Sequence, residues 1–314
     1  MGIDSGLGRS VTRRGFLGIG VAAGGAVLLG GRAAFAAEAA VAGKTDVWVL
    51  HGTDKRKLMG SAMKIIADNG GFGKAVKKLT LKVNAAWWRT PEQGANTHPE
   101  LVEAFLKGCK DQGIKELVLP ENPVDPAKNT FPQSGIQDVA KAAGAAMIDL
   151  QADAKQFKDV ELPNGRKLKA ALVGKDFLET DALVNMPVAK HHGGAELTMA
   201  MKNWMGAVKD RQAWHRNDLN QCIADFATFI KPSWTIIDAT RIMVDKGPKG
   251  GPGANLKELN LLIVARDQVA ADVYTAALFP GKGPEKVKYL TIAAEMKLGA
   301  TDPANFDVHK MEVG

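Results

Sequence analysis

Short apolar runs recur along most of this 314-residue chain, and between them lie stretches whose apolar residues repeat at helical spacing. That alternation constrains the fold more than any other feature. A strand buried on both faces reads as a near-continuous apolar run, and its parallel neighbour is reached through a long crossover, usually a helix. Strand-like runs fall at 47–50, 79–83, 116–119, 146–149, 182–186, 234–238 and 259–265. Helical periodicity falls at 55–68, 98–112, 136–143, 217–230, 268–278 and 284–296, the last two expected to close the chain. In the segment 98–112, Leu101, Val102, Phe105, Leu106 and Cys109 share one face, with Thr97 placed to cap it and Pro99 suited to its first turn. The pattern predicts a single α/β domain over residues 37–314, with a largely parallel sheet and helices on both faces. A more polar stretch at 151–176 carries the hairpin-type turn Leu162-Pro163-Asn164-Gly165-Arg166 and reads as a small inserted β-unit.

The first 36 residues do not fit that pattern. Arg13-Arg14 stand directly before Gly15-Phe16-Leu17, and residues 15–31 carry no charge. Ala34-Phe35-Ala36 then offers a small-x-small cleavage site. A charged start, an apolar middle and such a site describe an export signal, and the arginine pair beside Phe16 selects the twin-arginine route. The alternative is a single membrane anchor. Against it, the 17 uncharged residues are short for a span and 7 of them are glycine. The expected location is the periplasm, with the twin-arginine export machinery as one partner.

Removing residues 1–36 takes away Arg9, Arg13, Arg14, Arg32 and Asp4, which lowers the net charge from +7 to 37 minus 33, or +4. A balance that mild does not argue for nucleic acid, which calls for a clustered basic face. Cys109 and Cys222 are the two cysteines, and no Cys-x-x-Cys pair exists, so this chain alone cannot ligate a four-thiolate iron–sulfur cluster. Both lie in apolar helical patterns, which favours buried thiols over a periplasmic disulfide.

In open α/β sheets, ligands gather beyond the carboxyl ends of the strands. Those ends here are polar. They read Lys82-Val83-Asn84, then Pro120-Glu121-Asn122-Pro123, then Pro187-Val188-Ala189-Lys190-His191-His192-Gly193-Gly194, then Asp238-Ala239-Thr240-Arg241. Loop ends are commonly polar, but four in succession rich in Lys, Asn and His point to a site. His191 and His192 would face opposite ways on an extended chain, so they do not form a metal pair, and no metal-ligand spacing accompanies them. Acid–base or hydrogen-bonding roles suit them better. Met199-Ala200-Met201-Lys202-Asn203-Trp204-Met205-Gly206 sets Lys202-Asn203 within a soft apolar face. It is either a packing helix with a solvated lysine or a sunken lysine of shifted pKa that meets an anion. The loop 246–253, with four glycines, two lysines and two prolines, reads as a lid rather than a phosphate cradle. Dinucleotide, P-loop and nucleophile-elbow motifs are absent.

Together, Lys82-x-Asn84, Thr97-His98-Pro99-Glu100-Leu101-Val102, Asn185-x-Pro187-x-x-Lys190-x-His192, Met201-Lys202-Asn203-Trp204-Met205-Gly206 and Asp238-Ala239 resemble the family catalogued as domain of unknown function 362. That resemblance implies a redox-associated setting. Some members carry a cysteine-rich ferredoxin-like segment that this chain lacks, so a redox role would need a partner protein. The junctions are also similar, at the level of fold analogy, to the nickel-pincer lactate racemase group. Two functions follow as expectations. One is a periplasmic protein, expected to act as an enzyme, that binds an anionic small molecule or a metal-containing cofactor at its strand ends. In it, His98 or His192 with Lys190 would be catalytic, and Lys82, Asn84, Lys202, Asn203, Asp238 and Arg241 would bind ligand, with no protein-held metal. The other is a non-catalytic accessory or docking protein for a periplasmic redox complex.

Overall fold

The computed structural model describes residues 44–314, so the export segment read at residues 1–36 lies outside the described residues. In chain order the elements are β1 (Thr45–His51), α1 (Lys55–Asp68), β2 (Lys78–Val83), α2 (Pro99–Asp111), β3 (Glu116–Glu121), α3 (Ala127–Gln133), α4 (Ile136–Ala142) and β4 (Ala146–Asp149). There follow β5 (Phe157–Glu161), β6 (Ala170–Gly174), β7 (Ala182–Met186), β8 (Val188–His192), β9 (Glu196–Thr198) and α5 (Ala200–Asn203), the last continuing as a 3₁₀ turn (Trp204–Ala207). The remainder is α6 (Arg211–Asn217), α7 (Leu219–Phe229), β10 (Trp234–Met243), β11 (Leu256–Ala265), α8 (Gln268–Ala276), α9 (Lys288–Glu295) and β12 (Phe306–Glu312).

The main sheet runs β12-β1-β11-β10-β7-β2-β3-β4. Every neighbouring pair in that order is parallel except the two made by β11, which runs antiparallel to β1 and β10. Strand periodicity explains the two cores. In β1, Val47 and Val49 join one apolar cluster while Trp48 and Leu50 join the other. One cluster gathers α1, α2 and α4 against the sheet, and the other gathers α5, α7, α8 and α9. The α2 stripe of Leu101, Val102, Phe105, Leu106 and Cys109 is wholly buried, and each large apolar side chain contributes roughly 1.5–3 kcal/mol by leaving water. Cys109 and Cys222 belong to opposite clusters, with the sheet between them, and both are free buried thiols. Burial pushes both thiols up.

Four local readings are corrected. His98, rather than Thr97, caps α2: its Nδ1 accepts from Glu100 N at 3.3 Å. The Thr97 hydroxyl is engaged elsewhere, donating to Met186 O at 2.7 Å and accepting from Asn84 N at 2.8 Å. The strand expected to end at 238 runs on to Met243, because β11 pairs with it past a bulge between Ala239 and Arg241. The longer β10 in turn pairs with residues 188–192, so Lys190 and His192 sit on a strand rather than in a loop. Finally, helices do not close the chain. β12 follows them, an edge strand beside β1 whose largely exposed Asp307, Lys310 and Glu312 hide any buried-strand signature. The polar stretch does form a separate two-stranded sheet, β5 with β6, around the turn at 162–166.

From β2 the chain builds outward through β3 and β4, then returns to place β7 on the other side of β2 and β10 beyond it. The order therefore reverses direction between β2 and β7, the position at which α/β sheets open a crevice. No helix among the described residues is long and apolar enough to cross a membrane.

Candidate functional site

A cavity of about 250 Å³ opens at that switch point, lined among others by Lys82, Asn84, Glu121, Lys190, His192, Lys202, Asn203, Arg211 and His215. Period-2 geometry delivers the first of these. Leu81 and Val83 point into the α1–α2 core, so Lys82 between them must face the opposite side, beneath α5. Lys82 is 1% exposed, and its Nζ lies 2.9 Å from Glu121 Oε2 at the end of β3. It also donates to Val83 O. Burial lowers the Lys82 pKa, and the Glu121 carboxylate opposes the fall. The same Oε2 accepts from Ala85 N at 3.0 Å, while Oε1 is buried without a hydrogen-bond partner among the described residues. Gly206 makes room for this pair, since a Cβ there would stand 1.9 Å from Glu121 Oε1 and 2.8 Å from Lys82 Nζ.

Three asparagines join the elements. Asn203 Nδ2 donates to Asn185 Oδ1 at 2.8 Å, and its Oδ1 accepts from Asn84 Nδ2 at 3.0 Å. Asn84 Oδ1 then accepts from Lys190 Nζ at 3.0 Å, and Lys190 also donates to Ala95 O. Lys190 is 1% exposed, and its acceptors are neutral oxygens. Burial, reinforced by the charge of Lys202, holds its pKa well below the usual lysine value.

Lys202 differs from both. It is 7% exposed, and its one side-chain hydrogen bond among the described residues runs from Nζ to Met205 Sδ at 3.3 Å, a weak acceptor. Burial and the Arg211 guanidinium together bring its pKa down to about 7. Arg211 donates to the backbone carbonyls of Asn122, at 2.5 Å, and Pro123, at 2.6 Å, and pairs with no carboxylate among the described residues. His192 Nδ1 accepts from Gly194 N at 3.0 Å and Ala195 N at 3.1 Å, which puts the neutral ring's proton on Nε2. Its burial and the nearby Lys202 push its pKa down to about 2, so the ring stays neutral at any physiological pH. The His215 ring stacks on it with centroids 6.3 Å apart, and burial followed by the Lys202 charge lowers its pKa too. The neighbouring His191 turns away and accepts from Gly247 N at 3.1 Å. The loop 246–253 brings Pro248 to the cavity wall, and Lys249 ties it down by pairing with Asp125 at 2.9 Å and lying over the Trp87 ring.

Of the nine residues singled out from the sequence, Lys82, Asn84, Lys190, His192, Lys202 and Asn203 line this one cavity. His98, Asp238 and Arg241 do not. Asp238 is a structural acceptor, taking His98 N at 2.9 Å and the Thr240 hydroxyl at 2.7 Å. Arg241 pairs with Glu258 across the extended β10–β11 ladder and donates to Glu92 O at 2.9 Å. Glu121, Arg211 and His215 were missed. Glu121 stood in a strand-end motif already marked as polar, whereas Arg211 and His215 lie on α6 in a polar stretch with no pattern to raise them.

The donors fit anionic oxygens rather than a bare cation. Ammonium and guanidinium groups outnumber the lone carboxylate, and that carboxylate already holds Lys82. The one carboxylate–histidine cluster with metal-like spacing among the described residues, Asp46, Asp307 and His309, lies on the β1–β12 surface and is internally paired.

Fold and cavity define an α/β protein with a buried, cation-rich pocket at the switch point of its sheet. The chain belongs to the family described as a domain of unknown function (DUF362), whose model matches residues 79–277. It is 24% identical over 258 residues to a thylakoid-associated protein of Synechocystis sp., covering 79% of this chain and 77% of that protein. Among solved structures, a Thermotoga maritima protein aligns with a TM-score of 0.42 at 13% identity, over 66% of this chain and 56% of its own. The lactate racemase apoprotein of Thermoanaerobacterium thermosaccharolyticum aligns with a TM-score of 0.45 at 11% identity, over 79% and 58% respectively. The chain thus spans less than two thirds of either solved chain.

The buried pair gives a direct test. Glu121→Gln keeps the shape but strips Lys82 of its counter-charge, and the expected loss is about 3 kcal/mol of stability, read from urea unfolding. Adding Lys82→Met should restore most of that loss. An E121Q protein as stable as its parent would contradict the pairing.

Proposed function

We propose that this chain binds a small anionic ligand or an anionic cofactor in the switch-point cavity, and that it acts as an enzyme there. The observation that carries the reading is the charge imbalance. Lys82, Lys190, Lys202 and Arg211 surround the cavity and a single carboxylate, Glu121, answers them. Burying cations without partners is unfavourable by several kcal/mol, and an anion between them removes that penalty. Glu121 Oε1 adds a free acceptor for a hydroxyl or amine on the same ligand. A docking surface for a redox partner would instead leave these groups spread and exposed, and all three lysines are at most 7% exposed.

The Arg13-Arg14 segment supports a periplasmic setting. Cells carrying R13K together with R14K should retain the precursor in the cytoplasm on fractionation, and normal periplasmic delivery of that variant would refute the export route.

Binding should also respond to pH. Free Lys202 loses its proton near pH 7, whereas an anion beside it favours the ammonium form, so binding takes up a proton above pH 7. Affinity for phosphate or sulfate should then weaken by up to about tenfold per pH unit between 7 and 9. Without ligand the sign is opposite. The folded pKa of about 7 lies below the ordinary 10.5, the unfolded chain holds the extra proton between them, and stability rises with pH across that window. A thermal-shift titration checks both. The parent should gain a few degrees at saturating anion, and Arg211→Ala should lose most of that gain. No shift with phosphate, sulfate or pyruvate would overturn the reading.

A further inference from the structure

The three buried lysines of the cavity are not equivalent. Lys82 is answered by the Glu121 carboxylate at 2.9 Å, and Lys190 by the oxygens of Asn84 and Ala95. Among the described residues Lys202 meets only a thioether, although it is nearly as enclosed. An ammonium ion so placed has little solvent and no oxygen partner among the described residues to share its charge, and Arg211 raises the penalty further. The group relieves it by releasing a proton, which leaves an amine with a free lone pair facing the cavity. A lysine desolvated beside another cation is the arrangement that makes this side chain a nucleophile.

We propose that Lys202 forms an imine with a small 2-oxo acid whose carboxylate is held by Arg211. This rests on the anion-binding reading and adds the reacting group. An amine adds to an aldehyde or ketone and not to a carboxylate, while the surrounding cations select a carboxylate; a 2-oxo acid carries both groups on adjacent carbons. In the step, the Nζ lone pair forms a bond to the carbonyl carbon and the carbon–oxygen π pair moves to oxygen. The resulting carbinolamine loses that oxygen, together with the two amine hydrogens, as water, and a carbon–nitrogen double bond remains. Nothing is oxidised or reduced, so no further reactant is required. His192 suits the oxygen. With Nδ1 occupied by Gly194 N and Ala195 N, the neutral ring offers Nε2–H as a fixed donor that polarises the carbonyl without giving up a full proton. The carbonyl oxygen thus gains a donor, the carboxylate a guanidinium, and the amine stands free to attack.

Reductive trapping tests this. The full chain is incubated with pyruvate or glyoxylate and cyanoborohydride at pH 7.5, and the product is analysed by intact mass and peptide mapping. The expected product is one adduct per chain, with the mass of the oxo acid less one oxygen atom, located on Lys202. Glyceraldehyde, a carbonyl compound without a carboxylate, should label Lys202 at least about tenfold more slowly, the loss expected when a charge-assisted contact is removed. Lys202→Arg should abolish the adduct; if that variant does not fold, the map on the parent protein decides. Labelling confined to exposed lysines, in a protein whose melting temperature still rises with anions, overturns the imine and leaves the anion site standing. Absence of both the label and the thermal response overturns both. Equal labelling of Lys202 by glyceraldehyde overturns the assignment of a 2-oxo acid.

Discussion

Burying a lysine without a counter-charge is the constraint around which the carboxyl end of this sheet is arranged. Each of the three lysines answers it differently. Lys82 takes the one carboxylate in the cavity, Lys190 takes neutral oxygens, and Lys202 is left with a sulfur atom. The neighbouring design follows from the first answer. Glu121 must come close enough to reach Lys82 and Ala85 N, so the backbone at 206 has to carry no side chain. The asparagines at 84, 185 and 203 then connect β2, β7 and α5 through their amides, without adding charge to a cavity already rich in it.

The fold supplies this arrangement at a place where it would otherwise be difficult to build. A parallel strand ends where its backbone carbonyls and the following loop have few partners, and at a reversal of strand order the two covering layers diverge. Here β2, β3 and β7 end side by side, and α5 begins just beyond. Asp272 on α8 anchors that helix, accepting from Ala200 N at 2.6 Å and Met201 N at 2.9 Å, and its burial raises its own pKa to about 8. The placement of Lys202 is therefore set from behind by the apolar core, through Met201 and Trp204, as much as from the cavity side.

Much of this was legible in the residues. Continuous apolar runs disclosed the central strands, reading their polar ends in order brought together Lys82, Asn84, Lys190 and His192, and the methionine-rich segment added Lys202 and Asn203, all of which line one cavity. What failed, failed for tertiary reasons. The length of β10 depends on a partner strand far along the chain, so Asp238 and Arg241 looked like the end of a strand when they lie within it. His98 looked chemical because it stood beside a predicted helix start, and it proved to be the cap itself. Glu121 gave no sign that it, among several carboxylates near strand ends, would be the one buried against a lysine. Arg211 and His215 reach the cavity because α6 folds over it, which no local pattern encodes.

The central claim is that the cavity holds more buried cations than its one carboxylate can compensate, so that in the absence of ligand a lysine gives up its proton. Heteronuclear NMR titration of protein labelled at the lysine ε-carbons, after exhaustive dialysis against an anion-poor buffer, measures this directly. The account predicts a resonance, absent from Lys202→Arg, that titrates near pH 7 and moves upward when phosphate or sulfate is added. A Lys202 resonance that titrates at the ordinary lysine value of 10.5 in the free protein, and does not move with anions, would contradict it.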